Sequence, residues 1–210
     1  IFGSYHGHHD YVMVSIGVDY ASIGDRENYG SLPYGGGIPQ AVSDMTIAVP
    51  FNDAPAMERR IERLAEEGRL PACVIMEAAM MNLGVVLPEP GYLEAVREIT
   101  KKHGIILIFD EVKTGMTIAA GGAVEKFGVM PDMVTLAKAL GGGLPIGAIG
   151  GTDEAMEIVR NGGVWTQQAK LEAAGGVGWI AVGSAVAIHG DQAFVGVPRD
   201  SLAAALAGSP

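Results

Sequence analysis

The sequence predicts an α/β protein with a mainly parallel sheet flanked by helices. Two apolar runs, Cys73–Met76 and Ile105–Phe109, have the length of strands and contain no polar residue apart from the cysteine. Strands that are buried on both faces have this continuous apolar pattern. The segments around these runs are amphipathic with a helical period, and strands that alternate with such helices form a parallel sheet.

The first fifty residues predict loops rather than regular elements. They are rich in glycine, tyrosine and serine, and only Val12–Ile16 has the composition of a short strand. Three consecutive glycines, Gly35 to Gly37, stand between two prolines and indicate a long loop. Loops of this length in a compact domain are usually functional or mobile.

Two helices are predicted in the middle of the chain. Asp53 is a good N-cap with Pro55 in the first turn, and Gly68 suits the end of that helix. The second helix follows Pro90-Gly91 and ends at Gly104, after three residues that favour a helix C-terminus. Each helix repeats apolar residues on one face: Met57, Ile61 and Leu64 in the first, and Leu93, Val96 and Ile99 in the second.

Polar residues follow the predicted strands. Glu77 and Asp110 come directly after the two apolar runs, and Lys138 follows a third strand candidate, Met133–Leu136. A fourth candidate is Ile146–Ile149. Because ligands of open α/β sheets bind outside the carboxyl ends of the strands, we expect these three side chains to share one crevice.

Lys138 and Asp110 together suggest pyridoxal phosphate chemistry. A lysine amine forms a Schiff base with an aldehyde cofactor, and the apolar and glycine neighbours of Lys138 in sequence would desolvate it. A carboxylate facing the pyridinium nitrogen keeps that ring protonated. Alone, such a lysine is usually a surface charge and such an aspartate a helix cap or turn residue, so the motifs around them must carry the argument.

Those motifs resemble one family. Residues 109–115 read FDEVKTG, residues 127–132 read FGVMPD and residues 136–151 read LAKALGGGLPIGAIGG. They are similar to the signature of the class III pyridoxal-phosphate-dependent aminotransferases. The YHGHHD run at residues 5–10 and the GGAVEKFG run at residues 121–128 are most similar to the glutamate-1-semialdehyde 2,1-aminomutase branch. The resemblance covers about residues 1–160 and implies the large-domain core of a fold-type I enzyme.

The resemblance also implies roles for single residues. Lys138 would form the Schiff base and act as the general acid and base, with Asp110 on the pyridine nitrogen. Tyr5 would stack on the cofactor ring. The other implied cofactor-binding residues are His6, Glu77 and Asn82. The implied reaction is amino-group transfer of the aminomutase type on a small amino or keto/aldehyde substrate, in a homodimer. The alternative is a transaminase acting on an amine or an ω-amino acid.

Two other site chemistries are less well supported. The HGHHD run at residues 6–10 is similar to the zinc motif of metallo-β-lactamase-like hydrolases, but Tyr11 stands where that motif has its last histidine. We therefore predict no metal site and keep a zinc hydrolase as a remote alternative. The glycines that follow Lys138 lack the lysine and serine or threonine of a nucleotide-binding loop, so they predict a tight turn instead.

Composition excludes further classes. The net charge is −10 with no cluster of Lys and Arg, which argues against a nucleic-acid partner. Cys73 is the one cysteine, so no intrachain disulfide forms, as is typical of cytoplasmic proteins. No apolar run approaches the ~20 residues that span a bilayer, and the first residues do not resemble a signal peptide. We therefore expect a cytoplasmic enzyme without a membrane partner.

Residues 161–210 have a different composition, dominated by alanine, glycine and valine. We expect them to form a tail that does not resemble the family and adds no site residue. By the resemblance, the chain would lack the N-terminal part with the loop that holds the cofactor phosphate, the partner-subunit loop and the C-terminal domain. An inactive truncated fragment is therefore a further alternative.

Overall fold

The computed structural model describes residues 1–161, 183–184, 187–189 and 192–194. The expectations for the remaining residues of the tail lie outside the described residues. The chain divides into two compact units, Ile1–Asp110 and Glu111–Pro210.

The N-terminal part of the first unit contains mostly turns. A short 3-10 helix spans Tyr20–Ser22, and helix α1 spans Gln40–Ser43. The predicted strand at Val12–Ile16 is wrong, because only Val14 makes a bridge, to Pro33. The physical reason is Ser15, whose φ of 55° lies in the left-handed region and interrupts an extended backbone.

Helix α2 spans Ala54–Glu66 and has the predicted start and end. The Asp53 carboxylate accepts a hydrogen bond from the backbone N–H of Ala56 at 3.1 Å, which satisfies one of the free donors of the first turn. Gly68 follows the helix with a φ of 70°, where a residue with a Cβ is strained. The three predicted apolar residues are buried, so this face of α2 forms part of the core.

The remainder of the first unit is a strand–helix–strand arrangement. Strand β1 spans Cys73–Met76, helix α3 spans Tyr92–His103 and strand β2 spans Ile106–Asp110. The two strands pair in parallel, with Cys73 opposite Ile106 and Met76 opposite Phe109. Leu107 and Phe109 of β2 are fully buried, and α3 contacts both β2 and α2. The predicted pair of parallel strands with a crossover helix is confirmed.

The second unit begins with helix α4, Gly122–Phe127, followed by strand β3, Met133–Leu136. A 3-10 turn at Lys138–Gly141 leads to strand β4, Ala148–Gly151, and helix α5, Asp153–Asn161. The described strands beyond residue 161 are β5 (Gly183–Ser184), β6 (Ala187–His189) and β7 (Gln192–Phe194). Strand β4 pairs with β3 and β5, and β6 pairs with β7, all antiparallel.

The fourth strand starts two residues later than predicted. The backbone N–H of Leu144 bonds to the carbonyl of Gly141, and the N–H of Ile146 bonds to the carbonyl of Leu144. These bonds hold Ile146 in the turn, so regular pairing begins with Ala148 opposite Leu136. The α/β fold class is confirmed: the first unit contains the parallel pair β1–β2, and the second unit contains the antiparallel pairs of β4. Among the described residues, no helix has both the length and the apolar character needed to cross a membrane.

Candidate functional site

A buried histidine–aspartate pair lies at the carboxyl end of β2. Asp110 is the last residue of this strand, and its Oδ2 lies 2.7 Å from Nδ1 of His6. The side chains are only 6% and 8% exposed, for His6 and Asp110 respectively. A hydrogen bond with an ionised partner in such surroundings is shorter and stronger than a neutral one. The sequence placed both residues in the site but did not predict that they bond to each other.

This contact determines where His6 carries a proton. An ionised carboxylate accepts hydrogen bonds and cannot donate them, so Nδ1 of His6 holds the shared hydrogen. The other ring nitrogen, Nε2, is buried and has no hydrogen-bond partner within the described part of the chain. Buried polar atoms usually have a partner. A buried Nε2 without one is typical of a site that is completed by another group.

A second buried carboxylate follows β1. Glu77 is 3% exposed, and its Oε1 accepts a hydrogen bond from the backbone N–H of Tyr5 at 3.1 Å. Its Oε2 accepts one from the backbone N–H of Met81 at 2.9 Å. The side-chain nitrogen of Asn82 lies 3.4 Å from Oε1, which makes this a longer bond. Glu77 therefore connects the N-terminal segment to the turn that follows β1.

Tyr5 and His6 are held at the ends of two neighbouring strands. The backbone of Tyr5 bonds to Glu77 after β1, and the ring of His6 bonds to Asp110 at the end of β2. The Tyr5 ring packs edge-on against His8, with ring centroids 5.7 Å apart. Five of the six predicted site residues are thus linked within the first unit, and together we call them the carboxylate cluster: Tyr5, His6, Glu77, Asn82 and Asp110.

Lys138 belongs to the second unit. It is the first residue of the 3-10 turn after β3, and its φ of 48° is unusual for a residue with a side chain. Such backbone conformations are concentrated at functional sites. The side chain is exposed, so the expectation that neighbouring residues desolvate the amine is wrong for this chain. The reason is that the surrounding glycines turn the chain, with φ of 55° at Gly142 and 104° at Gly143, without covering Lys138.

Sequence reasoning missed the role of Glu111, the residue after Asp110. Its buried carboxylate accepts hydrogen bonds from the backbone N–H groups of Ala123 at 2.6 Å and Val124 at 3.2 Å, and from Oγ1 of Thr114 at 2.9 Å. The two backbone N–H groups belong to the first turn of α4, whose N-cap residue, Gly121, provides no side-chain hydrogen bond. The Asp110-Glu111 pair and the later Gly121-Gly122 pair could have indicated this contact, because the missing side chain of Gly122 leaves the space that the Glu111 carboxylate occupies.

The histidines of the HGHHD run do not form a metal site in the described residues. His8, His9 and Asp10 are exposed, whereas His6 is bonded to Asp110. The one group of three potential ligands in that part of the chain lies elsewhere and consists of Glu58, Glu62 and His103. The geometry therefore gives no support to the zinc hydrolase alternative.

Comparison with known proteins identifies the family of the chain. The family model described as "Aminotransferase class-III" matches residues 1–188. A curated glutamate-1-semialdehyde 2,1-aminomutase of Methanocaldococcus jannaschii is 49% identical over 155 residues, which is 74% of this chain and 34% of that protein. The chain belongs to the class III aminotransferase family. The class predicted from the sequence motifs is confirmed.

Solved structures support the same assignment. An omega-transaminase from Sphaerobacter thermophilus matches with a TM-score of 0.66 and 37% identity, covering 77% of this chain and 36% of that one. A structure described as "Transaminase with PLP bound" matches with a TM-score of 0.61 and 28% identity, covering 75% and 34%. The α/β fold is thus that of fold-type I aminotransferases, as predicted.

The chain spans about a third of the length of the curated relatives it matches. The family match extends to residue 188, beyond the predicted limit near residue 160. The division into a family-like part, residues 1–160, and an unrelated tail, residues 161–210, remains a prediction.

Proposed function

We propose that the protein containing this chain moves amino groups with pyridoxal 5'-phosphate, and that it does so as a glutamate-1-semialdehyde 2,1-aminomutase. The observation that carries the proposal is the buried pair of His6 and Asp110, 2.7 Å apart at the end of β2 and within the family motif. The aminomutase reaction is favoured because curated relatives at 44–49% identity carry that name.

The residues of the carboxylate cluster fit this cofactor. The buried carboxylate of Asp110 is held by His6 at the carboxyl end of β2, and an ionised carboxylate, which has several acceptor positions, can also accept an N–H from a pyridinium ring. The buried Nε2 of His6 without a partner is a further sign that the site is completed by another group. When bound, pyridoxal phosphate supplies an electron sink for the substrate carbon that loses a proton.

Asp110 has the role of holding the proton of the ring nitrogen. Its negative charge favours a protonated ring, and His6 fixes the carboxylate in position because its own Nδ1–H is directed at Oδ2. Glu77 has a different role, since both of its oxygens accept backbone hydrogen bonds. We infer that Glu77 positions Tyr5 and Asn82, which then contact the ring face and the hydroxyl side of the cofactor.

Lys138 is the residue that would hold the cofactor covalently and move the proton. Its Nζ would accept the proton that leaves the substrate Cα. It would then deliver that proton to the cofactor carbon C4′. This role requires an amine that is neutral part of the time. The exposed Lys138 of this chain would need to be covered by additional protein or by the cofactor itself. The left-handed backbone at Lys138 supports a position that is fixed for function.

A transaminase acting on an amine or ω-amino acid is the second candidate. It is favoured by the match to a structure described as an omega-transaminase, at 37% identity. Both reactions use a small amino or keto/aldehyde substrate and the same cluster. Supplying glutamate 1-semialdehyde alone distinguishes them, because an aminomutase converts it without an added amino donor, whereas a transaminase requires a second substrate.

The remaining parts of the proposal concern the whole protein. A cytoplasmic homodimer is proposed from the family resemblance and from the single cysteine. The chain alone is proposed to bind the cofactor weakly and to have little activity, because its amine is exposed and its length is about a third of that of the relatives.

The test is to map the cofactor attachment. Purified chain is mixed with pyridoxal phosphate, reduced with borohydride and analysed by peptide mass spectrometry. The reduced adduct is expected on Lys138 at low cofactor concentration. Lys126, an exposed lysine of α4, is the internal control for non-specific reaction. Equal labelling of Lys126 and Lys138 over the whole titration would contradict the assigned role of Lys138.

A further inference from the structure

We propose that Glu58, Glu62 and His103 form a Zn²⁺ site where α2 meets α3, a site that the sequence did not predict. One potential ligand atom from each of the three residues lies within 4.8 Å of the others. Glu58 and Glu62 are four residues apart on α2 and therefore project from the same face of that helix. His103 is the last residue of α3 and supplies the third ligand from a second element.

His103 is suited to this role by its surroundings. Its Nε2 atom is buried and has no hydrogen-bond partner within the described part of the chain. Its position on the backbone is well defined, because Gly104 follows with a φ of 66° and donates its N–H to the carbonyl of Lys101. A metal-binding histidine uses one ring nitrogen for the metal, so a half-buried ring beside two carboxylates is an appropriate ligand.

The electrostatics of this surface already attract a cation. Nζ of Lys102 lies 2.6 Å from Oε1 of Glu58 and 3.3 Å from Oε1 of Glu62. The C-terminal end of α3 adds the negative end of its dipole at the same place. The two carboxylates of this surface therefore already share one cation, the ammonium of Lys102.

Lys102 can be replaced by a metal ion at little cost. Its side chain is 56% exposed, so its ammonium can return to water when the carboxylates take a different partner. Exposed ion pairs contribute little to stability because solvent screens them. A divalent ion, in contrast, would be coordinated by both carboxylates and also by the imidazole nitrogen of His103. The ammonium of Lys102 makes hydrogen bonds with the two carboxylates and leaves that nitrogen without a partner in the described residues.

The ligand set selects zinc among common divalent ions. One nitrogen and two carboxylate oxygens, with a water in the fourth position, satisfy the tetrahedral preference of Zn²⁺. Calcium requires six to eight oxygen ligands, and magnesium prefers oxygen ligands with several waters. Zn²⁺ bound here would connect α2 to α3 and stabilise the folded first unit, because the unfolded chain does not hold the three ligands together. This proposal does not depend on the proposed amino-group transfer.

The experiment is a ZnCl2 titration of the purified chain in phosphate-free buffer without pyridoxal phosphate. Thermal unfolding is followed by circular dichroism, and bound zinc is measured after gel filtration. We expect about one zinc per chain and a midpoint that rises with zinc concentration. His103→Gln is expected to weaken binding at least tenfold. His9→Gln, which changes an exposed histidine in the first unit, is the matched control and should leave binding unchanged.

Zinc binding by Lys102→Met is the second measurement. This variant leaves all three proposed ligands unchanged. Removing the competing ammonium should tighten zinc binding several-fold. MgCl2 should not raise the unfolding midpoint comparably, either in the unchanged chain or in Lys102→Met. Unchanged or weaker zinc binding by Lys102→Met would overturn the proposal. So would binding that persists in His103→Gln, or binding that is lost in His9→Gln, since zinc would then be held by the histidines near the N-terminus.

Discussion

The first unit carries the acidic residues predicted for a cofactor site (the acidic half), and the second unit carries the predicted lysine (the lysine half); the two differ in their environment. In the first unit, Glu77 and Asp110 are buried, and they form hydrogen bonds with the backbone N–H of Tyr5 and with the ring of His6, respectively. In the second unit, Lys138 is exposed at the start of a 3-10 turn with a left-handed backbone. Hydrogen bonds within the first unit already hold the acidic half in place, whereas the position of Lys138 is determined by the backbone of its 3-10 turn.

The difference has a physical origin. A buried carboxylate must be paired or hydrogen-bonded, because desolvation of an unpaired charge is very costly. The fold therefore brings donors to Glu77 and Asp110 from a distant part of the sequence: the backbone of Tyr5 and the ring of His6. A lysine loses little by remaining in water, so no contact forces Lys138 into a buried position. Cofactor binding is expected to order the lysine half more than the acidic half.

The largest effect is expected from Asp110→Asn in the whole enzyme that contains this chain. The change removes the charge that favours a protonated ring, so turnover should fall by about a thousandfold or more, at roughly 1.4 kcal/mol of barrier for each tenfold. Stability should fall much less, by about 1 kcal/mol, because the asparagine oxygen still accepts the hydrogen bond from His6. Steady-state turnover and thermal unfolding measure the two effects.

Glu111→Gln is the matched control for that substitution. Glu111 is the adjacent buried carboxylate, but its contacts are to α4 and Thr114 and not to His6. We expect a loss of stability with turnover per folded molecule nearly unchanged. If Asp110→Asn and Glu111→Gln reduced turnover equally, the special role of Asp110 would be wrong.

The next largest effect is expected in the second unit, at Gly122. Its φ is 67°, and a Cβ at this position would lie 2.2 Å from Oε2 of Glu111. Gly122→Ala should therefore combine backbone strain with overpacking, at about 2–5 kcal/mol of unfolding free energy. Urea unfolding of the chain measures this loss.

Gly91→Ala separates the two causes. Gly91 has a φ of 84°, but a Cβ there would meet nothing within 4 Å. It should cost only the left-handed backbone strain, about 1–2 kcal/mol. Equal losses for Gly91→Ala and Gly122→Ala would show that the Glu111 carboxylate moves aside easily and does not fix the start of α4.

A smaller effect is expected from Glu77→Gln. The carboxylate of Glu77 accepts hydrogen bonds from the backbone N–H groups of Tyr5 and Met81, one on each oxygen. A glutamine retains one acceptor, and its NH2 group would face the other donor. The NH2 group and the backbone N–H that it faces would both lack an acceptor, which should cost about 1–3 kcal/mol of unfolding free energy. A variant as stable as the unchanged chain would show that the acidic half is less firmly ordered than we infer.

The elements with regular patterns could be predicted from the sequence. The apolar period and the caps gave α2 and α3 within one residue, and the apolar runs gave β1 and β2, with β2 displaced by one residue. Val12–Ile16 and Ile146–Ile149 were less accurate because their backbone is determined by turn hydrogen bonds. At Ile146 the bond is local, to the carbonyl of Leu144, whereas the N–H of Ser15 bonds to the carbonyl of Leu32, a residue distant in sequence; neither contact follows from an apolar pattern.

The sequence selected residues that the structure brings together in the carboxylate cluster, but it did not predict their contacts. Position at strand ends and the family motifs selected the cluster residues, because both reflect where a ligand binds in this fold. They did not show that His6 bonds to Asp110, a contact between residues 104 positions apart. They also did not show that Lys138 is exposed, because burial depends on what the rest of the structure places over a residue.

The smallest effect is expected at Asp53, a carboxylate of the first unit outside the site. Burial tends to raise the pKa of Asp53, but the hydrogen bonds from Arg26 and from the backbone of Ala56, with the nearby arginine charges, hold it below its usual value. A lowered pKa stabilises the fold above the unfolded value of about 4, and this contribution is lost as the pH falls through the lower folded value.

Asp53→Asn tests this point because asparagine is also a good N-cap. Its cost at pH 7 should be a few tenths of a kcal/mol, while Asp53→Ala should lose about 1 kcal/mol with the cap. As the pH falls below about 4 and through the lower folded pKa, the unchanged chain should progressively lose its advantage over Asp53→Asn, since the Asp53 carboxylate then becomes uncharged. Urea unfolding at pH 7 and pH 3 measures the difference. An Asp53→Asn cost that is the same at both pH values would mean that the charge of Asp53 adds nothing, and that the carboxylates of the first unit stabilise it by hydrogen bonds alone.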